Sequence, residues 1–137
     1  MYLTITKEFN FDSAHQLVNP MVTDEVEKTA LFGKCQRTHG HLFRLFVTVT
    51  GKVNERSGMI VNFVTLKEIV TREIIDELDH YNINDKVGFV PTCENLIQWI
   101  AEKLQPSLTK IGVTLTKLEL YETPTSHATL VLQLLVP

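Results

Sequence analysis

Apolar and polar residues alternate along the first fifteen positions of the chain. The apolar side chains fall on odd positions, at Leu3, Ile5, Phe9 and Phe11. This period of two is typical of a strand with one buried face. The same pattern predicts a second strand from residue 39 to about residue 53, a short apolar strand over 59–63, and two closing strands over about 113–122 and 128–136.

Two segments have the spacing of amphipathic helices. One helix is predicted to begin near Thr65, because the spacing from Thr65 to Glu68 matches a capping box. Thr92 is predicted to cap a second helix, which Pro106 is expected to end. The segments 19–33 and 79–90 lack a regular period and are predicted to be irregular. The apolar stripes are Leu66, Ile69, Val70, Ile74 and Leu78 in the first helix, and Leu96, Ile97, Ile100 and Leu104 in the second.

This order of elements predicts an α+β protein, with an antiparallel sheet and two helices gathered on one face. The 137 residues suit a single domain, 1–137. An open sheet of this size has two unpaired edge strands, and such edges favour assembly with further copies of the chain. We therefore expect a homo-oligomer.

The composition is that of an ordinary globular protein, with 44% hydrophobic residues, 21% charged residues and a net charge of −3. Basic residues are scattered, which argues against binding to nucleic acid or to a membrane surface. We see neither a signal peptide at the N-terminus nor an apolar run of about 18 residues. Cys35 and Cys93 are therefore expected to be reduced thiols in a cytoplasmic protein.

Three of the five histidines have the placement of metal ligands. His39 and His41 are two positions apart on a predicted strand, so both imidazoles leave the same face. His15 ends the first strand, where a neighbouring strand can bring it close. Three imidazoles with one open position are typical of a catalytic zinc site. The alternative is that the His-x-His pattern is accidental and both rings are solvated.

Cys35 precedes the histidine pair and lies between Lys34 and Arg37. Cationic neighbours favour the thiolate, and a thiolate beside a metal-bound substrate can act as a general base. A fourth zinc ligand and an inert thiol are the alternatives.

Three acidic residues and one histidine complete the candidate chemistry. Asp79 can orient His80 and raise its basicity, although neighbouring residues on one helix do not face each other. The alternative for His80 is an interaction with the helix dipole. Glu122 shares the parity of apolar residues, so it needs a partner such as a ligand with adjacent N–H donors, or else a lysine. Glu94 suits the first turn of a helix.

Five motifs, in this order, resemble the family of 6-pyruvoyl-tetrahydropterin and 6-carboxy-tetrahydropterin synthases. They extend across nearly the whole chain, which makes the resemblance more specific than a His-x-His pattern. The motifs are Phe11-Asp12-Ser13-Ala14-His15, Cys35-x-x-x-His39-Gly40-His41, Leu78-Asp79-His80, Pro91-Thr92-x-Glu94-Asn95 and Glu122-Thr123.

The resemblance implies a fold, an assembly and a metal. The fold is the tunnelling fold, in which four antiparallel strands carry two helices, trimers close a twelve-stranded barrel, and two trimers stack into a hexamer. Active sites in this family lie between subunits. The metal is zinc, held by His15, His39 and His41.

The resemblance also implies the roles of individual residues. Cys35 would be the catalytic base, and Asp79 with His80 would be the pair that handles protons. Glu122 would anchor the pterin ring. The motif containing Thr92 and Glu94 would contribute to the binding of a pterin triphosphate.

The spacer of three residues between Cys35 and His39 resembles the bacterial 6-carboxy branch, which belongs to queuosine and deazapurine synthesis. That branch converts 7,8-dihydroneopterin triphosphate to 6-carboxy-5,6,7,8-tetrahydropterin, acetaldehyde and triphosphate. The nearest alternative is elimination of triphosphate without carbon–carbon cleavage, which gives 6-pyruvoyl-tetrahydropterin. The chain departs from the family pattern at Leu42, at Asn62 and in the long 19–33 segment.

Two alternatives come from other classes of protein. One is a metal-dependent oxygenase, because His-x-His also occurs on strands of jelly-roll barrels, although those folds need more strands than this chain offers. The other is a zinc-stabilised binding module, in which Cys35 and His80 would be dispensable.

Overall fold

The computed structural model describes residues 1–133, which form one antiparallel sheet with helices packed on one face. The strands lie in chain order, β1-β2-β3-β4. This arrangement confirms the predicted α+β class. The last strand ends at Val131 and not beyond it as predicted, and the final part of the predicted strand, residues 134–136, lies outside the described residues. The strand bounds are β1 Tyr2–His15, β2 His39–Lys52, β3 Thr114–Thr123 and β4 Ser126–Val131.

Within residues 1–133, three longer helices accompany the sheet, together with short 3-10 turns at Gly33–Gln36 and Ile83–Asp85. Helix α1 spans Glu25–Phe32, helix α2 spans Phe63–Val70, and helix α3 spans Cys93–Lys110. Helix α2 continues through one π-helical turn, Thr71–Ile75, into a last turn, Asp76–Leu78. In the part of the chain described here, no helix combines the length and the apolar character needed to cross a membrane.

The core lies between the sheet and the second and third helices. Phe11 of β1 and Phe43 of β2 stack with ring centroids 5.0 Å apart. Each large side chain that is fully buried contributes about 1.5–3 kcal/mol through the hydrophobic effect. Both predicted helical stripes are confirmed, because every one of their residues is buried. The fully buried members are Leu66, Val70, Ile74, Leu78, Leu96, Ile100 and Leu104.

The predicted loop over 19–33 is wrong in part, because it contains helix α1. The Asp24 side chain accepts a hydrogen bond from Glu27 N at 2.9 Å and caps this helix. None of the eight residues of α1 is buried. A helix without a buried face has no apolar period, so the periodicity of the sequence carries no signal for it.

The predicted strand over 59–63 is also wrong, and helix α2 begins earlier than its predicted start at Thr65. The Asn62 side chain accepts from Val64 N at 2.8 Å, so Asn62 is the cap and Phe63 the first helical residue. Ile60 and Val61 still pack against the core, which explains their apolar character without a strand ladder.

Helix α3 does not end at Pro106, contrary to the prediction, but continues to Lys110. Proline removes one helical hydrogen bond and crowds the preceding turn. Leu108, two residues beyond Pro106, is fully buried. Burial of Leu108 offsets the disruption, because apolar packing in a helix outweighs local propensity.

Two features of the strand pairing set the geometry at the end of the sheet where the histidines lie. Tyr121 pairs with His127 and Thr123 pairs with Ser126, so Glu122 is an extra residue on β3. Such a bulge redirects the side chain it carries. The outer edge of β1 is occupied near its end, where His80 N donates to Asp12 O at 2.6 Å and Ala14 N donates to Tyr81 O at 3.1 Å.

Candidate active site

The three histidines predicted as metal ligands lie together at one end of the sheet. The antiparallel register places His15 directly opposite His39, and His41 opposite Ser13. The ring centroids are 4.6 Å apart for His15 and His39, 4.9 Å for His39 and His41, and 5.2 Å for His15 and His41. Cross-strand neighbours on one face approach this closely in any antiparallel pair, so pairing alone builds the cluster.

Glu122 joins the histidine cluster from β3. One carboxylate oxygen, Oε1, lies 3.2 Å from Nε2 of His15 and 3.2 Å from Nε2 of His41. One potential ligand atom from each of His15, His39, His41 and Glu122 lies within 4.8 Å of the others. These four side chains can therefore hold a metal ion.

The orientation of the imidazoles suits metal binding. Nδ1 of His15 lies 2.9 Å from Pro91 O, and Nδ1 of His39 lies 2.7 Å from Arg37 O. Because a carbonyl only accepts, each Nδ1 carries the proton and each Nε2 keeps its lone pair. Outer hydrogen bonds of this kind normally orient metal-binding histidines.

Two of these nitrogens have no hydrogen-bond partner among the described residues. Nε2 of His15 and Nε2 of His41 are both buried, and their contacts with Glu122 lack the geometry of a hydrogen bond. His15 is only 1% exposed. A buried polar atom without a partner costs about 1–3 kcal/mol. A metal ion would satisfy both nitrogens, and three imidazoles with one carboxylate form a donor set that suits zinc.

The charges in the cluster favour the forms that bind cations. Burial lowers the pKa of His41, opposed by the neighbouring Glu122 carboxylate. The polar contact with His15 is the main cause that lowers the pKa of Glu122, and burial acts against it. Near neutral pH the His41 imidazole is therefore neutral and the Glu122 carboxylate is ionised.

Cys35 lies beside the histidine cluster, in a short 3-10 turn, Gly33–Gln36. The thiol is half-buried and lines a cavity of about 620 Å³. Leu17 N donates to Cys35 O at 2.8 Å, which ties this turn to the exit of β1. The same cavity is lined by His39, His41, Glu122, Lys34, Arg37 and hydroxyl side chains.

Asp79 and His80 contact each other directly. His80 follows the end of the helical region and has a positive φ of 64°, which is uncommon for a residue with a side chain. This backbone turn brings His80 Nδ1 to 2.9 Å from Asp79 Oδ2. The expectation that helical neighbours face apart does not apply, because the helix has already ended at Leu78.

Asp79 is itself held by the edge of β1. Asp12 N donates to Asp79 Oδ1 at 2.9 Å, and this bond is the largest cause that lowers the pKa of Asp79. The ionised carboxylate can therefore accept from the His80 ring and fix its orientation.

His80 and Cys35 line different cavities of the same chain. His80 belongs to a cavity of about 490 Å³, whose lining includes Asp12 and Tyr81. The two cavities share only Gly40 and His41 in their linings. The structure thus brings Cys35 to the histidine cluster, but it does not bring His80 to Cys35 within the described chain.

Thr92 and Glu94, predicted to bind substrate, lie at the start of helix α3. The Thr92 hydroxyl accepts from Asn95 N at 3.1 Å and caps this helix. Glu94 is exposed in the first turn. Neither residue is among those lining the two cavities described above, so their binding roles stay predictions.

Two groups that support the site were not predictable from the sequence. The carbonyl of Pro91 orients His15, and the Asn84 side chain bonds to the backbone of Gln16. A backbone carbonyl has no sequence signature. Asn84 lies in a segment without periodicity, where an asparagine is indistinguishable from an ordinary turn residue.

Together, the fold and the cluster define a candidate metal-dependent enzyme built on an antiparallel sheet. The sequence matches the family model described as 6-pyruvoyl tetrahydropterin synthase over residues 4–132. The chain belongs to this family, and it is therefore a lyase of the tetrahydropterin synthase type.

Individual relatives carry two different names. A 6-pyruvoyl tetrahydrobiopterin synthase of Dictyostelium discoideum is 39% identical over 108 residues, covering 76% of this chain and 79% of that protein. A 6-carboxy-5,6,7,8-tetrahydropterin synthase of Synechocystis sp. is 37% identical over 130 residues, covering 90% and 89%. The 6-pyruvoyl tetrahydropterin synthase structure of Caenorhabditis elegans superposes with a TM-score of 0.84 at 29% identity, covering 97% of both chains. This similarity confirms the tunnelling fold of the single chain, a four-stranded antiparallel sheet with helices.

Proposed function

We propose that this protein converts 7,8-dihydroneopterin triphosphate and water to 6-carboxy-5,6,7,8-tetrahydropterin, acetaldehyde and triphosphate. The observation that carries the proposal is the cluster of His15, His39 and His41, whose unpartnered nitrogens lie beside a cavity lined by Cys35 and two cationic side chains. A candidate metal site, a thiol and cationic groups around one cavity suit a substrate that must lose protons and a triphosphate.

Zinc is the proposed metal. Its three histidine ligands would leave room for substrate oxygen, as in catalytic rather than structural zinc sites. When bound, zinc would supply Lewis-acid stabilisation of negative charge on the side-chain oxygens of the substrate.

Cys35 is the proposed general base that removes a proton from the substrate. His80 is the proposed second residue that carries a proton during the reaction. The half-buried Cys35 thiol lines the cavity of the metal cluster, where it can remove a proton from the side chain of the substrate. Asp79 accepts a hydrogen bond from Nδ1 of His80, so Nε2 of this ring remains available to the substrate.

Glu122 is the proposed anchor of the pterin ring. Its lowered pKa keeps the carboxylate ionised, and adjacent N–H groups of a pterin can donate to both of its oxygens. Thr92 and Glu94 are proposed to assist in binding the substrate.

Lys34 and Arg37 are the proposed contacts of the triphosphate. Both line the cavity of the metal cluster, and neither forms an ion pair within residues 1–133. Arg44, a further basic residue on β2, pairs instead with Glu8 at 2.5 Å.

The choice of branch rests on the spacing of the second motif. Three residues separate Cys35 from His39, as in the bacterial 6-carboxy enzymes that the chain resembles. The second candidate is formation of 6-pyruvoyl-tetrahydropterin at the same site. The name of the Dictyostelium discoideum relative favours that alternative.

Assembly into a hexamer of two stacked trimers is part of the proposal. Cys35 and His80 line separate cavities of one chain, so neighbouring copies would complete the site. The described part of β4 is a sheet edge with no strand beyond it, available for pairing in a barrel. We place the enzyme in the cytoplasm and in queuosine-type deazapurine synthesis.

Mass spectrometry of the products tests the choice of branch. Zinc-loaded protein is incubated with 7,8-dihydroneopterin triphosphate under anaerobic conditions. Formation of 6-carboxy-5,6,7,8-tetrahydropterin together with acetaldehyde is the expected result. A 6-pyruvoyl product without acetaldehyde would contradict the proposed branch and support the second candidate.

A further inference from the structure

The side chain of Asn84 bonds twice to the backbone of Gln16. Gln16 N donates to Asn84 Oδ1 at 2.9 Å, and Asn84 Nδ2 donates to Gln16 O at 2.9 Å. Both bonds are partly buried. The Asn84 amide thus bonds both the N–H and the C=O of one residue, as a neighbouring strand would do, and so fixes the backbone of Gln16.

This amide pair holds the chain immediately after a metal ligand. Gln16 follows His15, whose ring is fixed on its other side by Pro91 O. The next residue, Leu17, donates its N–H to Cys35 O at 2.8 Å. The Gln16 peptide therefore lies between the metal ligand and the contact that holds the Cys35 turn.

Asn84 also ends the segment that carries the Asp79–His80 pair. This segment runs beside the edge of β1, with Asp79 Oδ1 bonded to Asp12 N at its start. Tyr81 O accepts from Ala14 N in the middle. The segment pairs with β1 in parallel through the Ala14–Asn82 bridge. At each end of this pairing a side chain bonds to the β1 backbone or to the residue just after it. Asn84 makes the contact at the end nearest the histidine cluster.

We propose that Asn84 is a positioning residue that holds the metal ligand His15, the Cys35 turn and the Asp79–His80 segment in one fixed register. The inference rests on the proposed function for its effect on turnover. It does not rest on that function for its effect on geometry. A displacement of about 1 Å between reacting groups can lower the rate about 100-fold. A single positioning residue can therefore affect catalysis without touching the substrate.

Two substitutions separate the two bonds. Asn84→Ala removes both, whereas Asn84→Asp keeps the acceptor for Gln16 N and loses the donor to Gln16 O. Gln98→Ala is the matched control, because Gln98 Nε2 also donates to a backbone carbonyl, Glu94 O at 3.0 Å, on an exposed helix surface. Circular dichroism first establishes that each variant is folded.

Three measurements follow on the folded variants. Cobalt(II) titration gives the metal affinity and a visible spectrum that reports ligand geometry. Steady-state kinetics with dihydroneopterin triphosphate separate kcat from KM. Alkylation of metal-free protein reports access to Cys35, since Cys93 is buried, donates to Leu120 O and has its pKa raised by burial to about 11.

For Asn84→Ala we expect a shifted cobalt spectrum, cobalt affinity about 10-fold weaker, and kcat about 10–100-fold lower with KM within about 3-fold. We also expect alkylation of Cys35 to be several-fold faster. Asn84→Asp should lie between Asn84→Ala and the wild type, and it decides the question if Asn84→Ala does not fold.

A folded Asn84→Ala variant that matches Gln98→Ala in spectrum, kcat and alkylation rate would overturn the inference. If the wild-type protein showed no turnover, the proposed function would fail by itself. The alkylation rate of metal-free protein would then still decide the role of Asn84.

Discussion

Glu122 lies where it can serve either as a metal ligand or as a contact of the pterin ring. Its carboxylate lies 3.2 Å from two histidine nitrogens, so it can serve as a fourth metal ligand. The family resemblance instead assigns it to the pterin ring. Since a closed set of four protein ligands is typical of structural zinc, catalysis requires that the carboxylate leave one position open for substrate.

Substitution of Glu122 by glutamine distinguishes these roles. Loss of a charge-assisted pair of bonds to the pterin should raise KM about 10–100-fold, while metal affinity changes little. Steady-state kinetics and cobalt titration measure the two effects. Glu119→Gln is the control, because Glu119 lies on the same strand but pairs with Lys117 at 3.6 Å. A large fall in metal affinity with unchanged KM would contradict the anchoring role.

At the residue scale, strand parity made the clustering of the candidate site residues predictable. His39 and His41 share a face by their spacing, and Glu122 was directed toward the apolar side by its alternation with Leu118 and Leu120. The carbonyl of Pro91 and the amide of Asn84 were not predictable. Their positions depend on the path of loop backbone, which no side-chain period encodes.

At the scale of elements, periodicity predicted those helices and strands that bury one face. Both stripes of helices α2 and α3 are in the core, and four of the five predicted strands are present, the exception being the one over 59–63. Helix α1 has no buried residue, so no apolar period marked it. The prediction that Pro106 ends a helix was wrong because the rule considers local propensity and not the burial of Leu108 beyond it.

The extension of helix α3 past Pro106 has a measurable consequence. Leu108→Ala should lower the free energy of unfolding by about 2–4 kcal/mol, since it leaves a cavity in the core. Thr109→Ala, at an exposed position on the same turn, should change it by less than about 0.5 kcal/mol. Urea denaturation measures both. Equal small effects from the two substitutions would mean that the chain beyond Pro106 does not pack as the structure places it.

At the scale of the whole molecule, the separation of Cys35 and His80 is the main structural argument for shared sites. These residues line cavities with little lining in common, although the proposed chemistry needs both at one substrate. Isologous and cyclic assemblies regularly complete a site with a residue from a neighbouring copy. The open edge of β4 offers a route to such an assembly.

Mixing two inactive variants tests this arrangement. Cys35→Ala and His80→Ala are each expected to be inactive as pure proteins. When they are unfolded together in equal amounts and refolded, about one site in four should combine an intact Cys35 from one copy with an intact His80 from another. Activity should therefore return to about a quarter of the wild-type value. Activity no higher than that of the separate variants would place both residues in one chain's site.

The release of inorganic triphosphate tests the central claim most directly, because both candidate products require it. Phosphorus-31 NMR would follow 7,8-dihydroneopterin triphosphate with zinc-loaded protein, with chelated protein and with His41→Ala. The account predicts that triphosphate appears as substrate disappears only with the zinc-loaded wild-type chain. No release from folded, zinc-loaded protein, or equal release from His41→Ala, would contradict a metal-dependent lyase at this site.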